Sequence, residues 1–286
     1  MMFRSHQRKR SATGMVRVIH PFPVVMVIAT SILLTLVLRG GGPGSGFLLR
    51  VVLVVLTSQI AIGALNDYRD RFDDALGQPG KPIPSGKIAP GTALWMVRGS
   101  LLTFLPLALS FGPLAFCLIA FGTFAGISYD LWLKRTAFSV LGYIAGFLSL
   151  FTWIAVITGE FSPRMFVVYP VGALIVVVAH LAQSFPDIET DSSLGQHGLA
   201  VVLGPLRTLR TIRTLWGSTA GIAIVVSLAV HSPAAAALAA IGSLIGAAGL
   251  LSAGNATESP PARRRLFLTI APSVALLALS CLLSIR

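Results

Sequence analysis

Apolar residues run through this chain in long uncharged stretches, at 19–38, 99–129, 136–159, 165–186, 214–257 and 266–285. About 20 apolar residues cross a bilayer core about 30 Å thick, and every stretch reaches that length. Two are too long for one crossing. The run 99–129 has a break at Ser110-Phe111-Gly112-Pro113, and the run 214–257 has one at His231-Ser232-Pro233. Splitting the runs at Gly, Pro and charged positions predicts nine spans, near 19–39, 47–66, 91–110, 113–131, 137–158, 165–186, 212–231, 233–253 and 266–285. The fold class that follows is an all-α, polytopic membrane protein.

Composition supports this reading. Hydrophobic residues make up 55% of the 286 and charged residues 11%, against about 25% charged in soluble domains. The net charge of +12 raises the question of nucleic acid, but the basic residues lie between apolar runs, where inside-facing membrane loops carry them. No nucleic-acid partner is expected. Seventeen of the 22 Lys and Arg residues fall on one face under the nine-span count, in the tail (Arg4, Arg8, Lys9, Arg10, Arg17) and in alternate loops. This alternation predicts a cytoplasmic N-terminus, an outward C-terminus and a multi-pass protein of the cell membrane. Residues 1–18 read as a basic cytoplasmic tail facing anionic lipid, and 19–286 as one transmembrane domain. A cleaved signal peptide is disfavoured, because no Ala-x-Ala site follows the first run. Cys117 and Cys281 both lie in apolar runs, which argues against disulfides and thiolate metal sites.

The acidic residues change the picture most. There are only ten, and seven fall in two short stretches. One is Asn66-Asp67-Tyr68-Arg69-Asp70-Arg71-Phe72-Asp73-Asp74, and the other is Asp187-Ile188-Glu189-Thr190-Asp191. Each ends an apolar span, and both fall on the inside face. If the helices continue, Asp67, Asp70 and Asp74 share a stripe, as do Asp187 and Asp191. Solvated loops are the plain alternative for one such stretch, but two regularly spaced stretches ask for a stronger reason. Clustered carboxylates repel, and a hard cation offsets that. Carboxylates with waters and substrate phosphates suit Mg²⁺. Two facing sites would hold two Mg²⁺ ions on one diphosphate, with Arg69, Lys134 and Arg135 adding positive charge.

Here the residues match a known family. Asn66-Asp67-x-x-Asp70-x-x-x-Asp74 resembles the first signature of the UbiA superfamily of intramembrane prenyltransferases, and Asp187-x-x-x-Asp191, followed by Gly195 and Gly204, resembles the second. Lys81-Pro82-Ile83-Pro84-Ser85-Gly86 is similar to its Pro-rich loop, and Tyr129 to Thr136 to its Tyr…Lys-Arg segment. The resemblance implies nine helices around a central cavity, with the acidic motifs at its cytoplasmic mouth. It also implies Mg²⁺-dependent transfer of an isoprenyl group from a prenyl diphosphate to an acceptor, often aromatic, or a lipid or quinone precursor. Carried over, Asn66, Asp70 and Asp74, with Asp67 beside them, serve one metal, and Asp187 and Asp191 the other. Lys134 and Arg135 contact diphosphate, and Tyr129 lines the reaction centre. Three positions depart from the family pattern: His20 stands where many members have Arg, Lys81 replaces an Arg, and Gly142-Tyr143 replaces a Gly-Asn pair.

Gln59, seven before Asn66, and His180 and Gln183, seven and four before Asp187, would face the same cavity and orient an acceptor. Packing against a neighbouring helix is the plain alternative for each. Glu189 and Asp73 are candidate bases, with simple solvation as their plain alternative. Two rival activities remain at this stage. A UbiA-type terpene cyclase would capture the cation within the prenyl chain. A transporter of divalent cations or lipids would need ionisable groups at mid-membrane, and the acids instead gather at one edge.

Overall fold

The computed structural model describes residues 13–40, 42–253 and 259–285. Nine helices long and apolar enough to cross a membrane occur among them. They are α1 (Pro21–Arg39), α2 (Ser45–Gly77), α3 (Pro90–Leu109), α4 (Pro113–Leu131), α5 (Ser139–Thr158), α6 (Met165–Ser193), α7 (Leu199–Ala229), α8 (Pro233–Ala253) and α9 (Pro260–Ile285). The described residues contain no strand.

Proline and glycine punctuate the chain. Pro21, Pro90, Pro113, Pro233 and Pro260 open helices, where a missing N–H has no cost because those donors are unpaired anyway. Both predicted breaks are present. The chain turns at 110–112 on Gly112 (φ 95°) and at 230–232 on His231 (φ 52°).

Besides the end of α6, which passes its predicted limit through a 3₁₀ turn, three boundaries differ from expectation. α2 runs eleven residues past its predicted end, α7 begins at Leu199 rather than near 212, and α9 at Pro260 rather than near 266. The reason is shared: charge ends an apolar run without ending a helix, since Arg is a good helix former. Arg207, Arg210 and Arg213, and likewise Arg263 to Arg265, therefore lie in helices rather than loops. A 33-residue helix is about 50 Å long, so the end of α2 that carries the acids extends beyond a core about 30 Å thick. α7 bends instead at Gly204-Pro205, where Gly204 (φ 73°, ψ 166°) takes a conformation only glycine adopts easily.

Of the predicted tail, residues 1–12, with Arg4, Arg8, Lys9 and Arg10, lie outside the described residues. Residues 13–18 form a helical turn whose Val18 is buried beside Ala64 and Ile88.

The helices close into a ring. α1 packs on α2, α5 and α9, α4 on α2 and α5, and α6 on α5, α7 and α9. One apolar cluster, around Trp153, Ile154, Val54, Val55 and Ile119, fills the half of the bundle opposite the acidic ends. A second, around Phe185, Leu181, Ile212, Leu266 and Ile270, joins α6, α7 and α9. Between them the ring encloses a cavity of about 920 Å³.

Candidate active site

Both acidic stretches open onto this one cavity. Asn66, Asp67, Asp70 and Asp74 line it from α2, and Asp187 and Asp191 from the end of α6. The helix of α2 continues through the first stretch as the spacing predicts. The second is different. Pro186 has no N–H to donate, and α6 tightens to a 3₁₀ turn at Phe185–Asp187 before a short helix, Ile188–Ser193. Asp187 and Asp191 still reach the cavity, but across that turn rather than along one continuous helix.

The two helix ends touch. Thr190 lies so close to Gly77 that a Cβ added at Gly77 would meet its Cγ2 at 2.5 Å. Gln78, the next residue, donates from Nε2 to Asp187 Oδ1 (3.4 Å). Gly77→Val is expected to wedge the motifs apart and lower activity at least about tenfold. Steady-state rates beside a thermal melt of the purified protein check this, and rates equal to wild type would contradict it.

Cations surround the acids. Lys81 Nζ donates to both oxygens of Asp74 (2.9 Å each) and lies 3.7 Å from Asp67. Burial favours its neutral amine, but Asp74 and Asp67 outweigh this and hold the ammonium above its usual range, so Lys81 is charged at neutral pH. Lys134 donates to Asp70. Arg135 pairs with Asp73 (2.8 Å), which also accepts from Gln196 (3.3 Å). His20, at φ 52°, places Nε2 3.0 Å from Asp67 Oδ1 without the angle of a hydrogen bond. Lys134 is held from behind. The backbone N–H of His197 donates to the Arg135 carbonyl (3.1 Å), and a Cβ on Gly198 would meet the Lys134 carbonyl at 2.9 Å.

Asp67 is 1% exposed, and neither its carboxylate oxygens nor Oδ1 of Asp70 accepts a hydrogen bond. Unsatisfied buried anionic oxygens suit a hard cation. Among the described residues no three His, Cys, Asp or Glu side chains converge on a single point. That donor set fits Mg²⁺, which binds through one or two carboxylates and completes its shell with water and substrate phosphate.

Other expected site residues divide. His20, Gln59, Tyr129, Lys134 and Gln183 line the cavity. His180, expected to face it, does not. It is buried behind Tyr143 (rings 4.6 Å apart), with Nε2 3.0 Å from the Ser139 hydroxyl, which accepts from the Leu199 N–H. Its place is that of a strut between α5, α6 and α7. Arg69 points outward and donates to the Leu131 carbonyl (3.4 Å), and Arg135 touches the acids without lining the cavity. Of the candidate bases, Glu189 is engaged by Arg263 and does not line the cavity, whereas Asp73 does.

Asp130 is a site carboxylate outside the two acidic stretches. It sits in the last turn of α4, 3% exposed on the cavity wall, where it accepts from Asn66 Nδ2 (2.9 Å). A lone acid ending an otherwise uncharged span is the signal that marks it. Tyr143 is a second addition. Its ring stands 4.9 Å from Tyr129 and borders both the main cavity and a smaller apolar pocket of about 180 Å³. Phe22, Phe147 and Phe267 border both as well.

Known proteins share this fold. The fold is that of a UbiA homolog from Archaeoglobus fulgidus bound to GPP and Mg²⁺, with a TM-score of 0.67 at 18% identity over 92% of this chain and 99% of that one. A UbiA homolog from Aeropyrum pernix K1 superimposes with a TM-score of 0.69 at 17% identity, over 88% of this chain and 96% of that one. Among relatives in sequence, a digeranylgeranylglyceryl phosphate synthase of Methanospirillum hungatei is 28% identical over 75% of this chain and 76% of its own length. The bacteriochlorophyll synthase 33 kDa chain of Cereibacter sphaeroides is 33% identical over 57% of each. The model of the UbiA prenyltransferase family matches residues 26–281. With nine membrane-crossing helices and both acidic motifs on one cavity, the chain belongs to the UbiA prenyltransferase family of multi-pass membrane enzymes.

Proposed function

We propose that this protein transfers an isoprenyl group from a prenyl diphosphate to a small acceptor, with two Mg²⁺ ions, at a cavity mouth on the cytoplasmic face of the cell membrane. One observation carries the reading: both acidic helix ends and Lys134 border a cavity that shares a wall, at Phe22, Tyr143, Phe147 and Phe267, with an apolar pocket. The stretch Asn66, Asp67, Asp70 and Asp74 would supply the one or two carboxylate ligands of one ion, and Asp187 and Asp191 those of the other. The metal, when bound, neutralises charge growing on the departing diphosphate oxygens. Lys134 supplies a point charge to the same oxygens, with Arg135 behind it. The apolar pocket takes the isoprenoid tail and keeps water from the allylic cation. Tyr129 and Tyr143 present aromatic rings beside that cation, which a π-face attracts. His20, Gln59 and Gln183 lie on the wall where an acceptor would be oriented, and Arg69 adds charge at the rim. The basic residues that cluster at the acidic end of the bundle support the cytoplasmic placement.

The apolar cluster around Trp153 packs the half of the bundle opposite the acids without a charged residue in it, which argues against an ion pathway. The test is incubation of purified protein with prenyl diphosphates of several lengths and a panel of aromatic and glyceryl acceptors, with and without Mg²⁺. Acceptor-dependent, Mg²⁺-dependent prenylated product is the expected result. A cyclic hydrocarbon formed without acceptor would point to a cyclase, and intact donor under every condition would refute the proposal.

A further inference from the structure

The second acidic stretch has a partner outside the cavity. Its backbone changes from α to 3₁₀ and back within a few residues, so its own helix bonds hold it weakly. Arg263, near the start of α9 and 1% exposed, grips it on both sides of Asp187. Nη1 donates to Glu189 Oε2 (2.5 Å), Nη2 to Glu189 Oε1 (2.7 Å), and Nη1 also to the Phe185 carbonyl (3.3 Å). The guanidinium lies 4.8 Å from the Phe185 ring centre. Phe185 and Glu189 stand two residues before and two after Asp187. Glu189 itself turns away from the cavity, its side chain 56% exposed.

A buried ion pair is weak evidence for stability, because desolvation offsets attraction. Geometry is what the fork-to-carboxylate contact supplies: two parallel bonds fix orientation as well as distance. With Phe185 and Glu189 both fixed to α9, the turn between them has little freedom. Asp187 and Asp191 are then aimed at the cavity, where Arg264, next to Arg263, also lines the wall.

We infer that the Arg263–Glu189 pair is a positioning device that sets how tightly Asp187 and Asp191 bind a metal–diphosphate complex, an inference that rests on the function proposed above. Neither residue touches substrate. They act on the metal through the carboxylates between and beside them, as outer partners of metal ligands do.

The test uses the full-length purified protein with Glu189→Gln, Arg263→Lys, Arg263→Met and the Glu189→Gln/Arg263→Met pair. Two quantities are read: Mn²⁺ binding with inorganic pyrophosphate, followed by electron paramagnetic resonance, and the Mg²⁺ concentration giving half-maximal diphosphate release. Glu189→Gln and Arg263→Met are each expected to weaken Mn²⁺ binding and raise the Mg²⁺ requirement about tenfold. The double variant should be no worse than either single one, because both disrupt one contact. Arg263→Lys should recover only part, since an ammonium cannot make the two-pronged contact. Glu189 is half exposed, so Glu189→Gln decides the matter even if Arg263→Met does not fold. Wild-type metal binding and Mg²⁺ dependence in Glu189→Gln would overturn the inference, as would a lower maximal rate at unchanged metal requirement. Absence of pyrophosphate-dependent Mn²⁺ binding in the wild type would overturn both the proposed function and this coupling. Normal wild-type binding with an unaffected Glu189→Gln would overturn the coupling alone.

Discussion

Asp70→Ala and Asp187→Ala are each expected to reduce diphosphate release from a prenyl donor to background, a loss of about 10³-fold, while the protein still inserts and purifies normally. The size follows from what the carboxylates do. Removing one preorganised electrostatic contact to developing charge costs about 10²- to 10³-fold, and removing a metal ligand withdraws such a contact together with part of the ion's affinity. Folding should tolerate both changes. Asp70 accepts from Lys134 at the cavity rim, and Asp187 accepts only a long bond from Gln78. Neither belongs to the apolar clusters that hold the ring together. Mass-spectrometric product analysis beside a thermal melt separates lost chemistry from lost fold. Wild-type rates from both variants would remove the metal-site reading.

Lys134→Met is expected to lower kcat/KM for the prenyl diphosphate about 10²-fold. Lys134 follows α4 and is locked by contacts of the 134–136 turn with residues 197–198, so its ammonium is held over Asp70 rather than free in solvent. A fixed charge needs no reorganisation when diphosphate departs, which is why its loss should show in the rate and not only in binding. Lys134→Arg keeps the charge and should lose less. Steady-state kinetics at saturating Mg²⁺ checks both, and equal values for Lys134→Met and wild type would contradict the assignment.

The helices were legible because membrane crossing imposes a length and a composition that apolar runs reveal directly. Prolines at 21, 90, 113 and 233 then stand at, or within two residues of, four of the predicted helix starts. Boundaries failed where charge met helix. Arg207, Arg210, Arg213 and Arg263 stop a hydropathy run but continue α7 and α9, because their side chains suit helices and their backbone bonds are unaffected. The acids of the candidate site were legible by scarcity, since ten carboxylates gathered mostly at two places need a reason. Asp130 carried only the weaker signal of a lone acid ending an uncharged span, and its contact with Asn66 on the neighbouring helix appears only in the packing. His180 shows the limit of helical spacing. Seven residues before Asp187 places it near the same stripe, but the 3₁₀ turn at Phe185–Asp187 shifts the phase between them, and it faces Ser139 instead. The Arg263–Glu189 contact joins residues far apart in sequence and only packing reveals it.

The most direct measurement counts Mn²⁺ ions bound per chain by electron paramagnetic resonance in the presence of geranyl S-thiolodiphosphate, an unreactive donor. Two spin-coupled ions are expected in the wild type, with one lost in Asp70→Ala and the other in Asp187→Ala. Two uncoupled ions, or full occupancy in either variant, would mean that the acidic helix ends of α2 and α6 do not share one diphosphate.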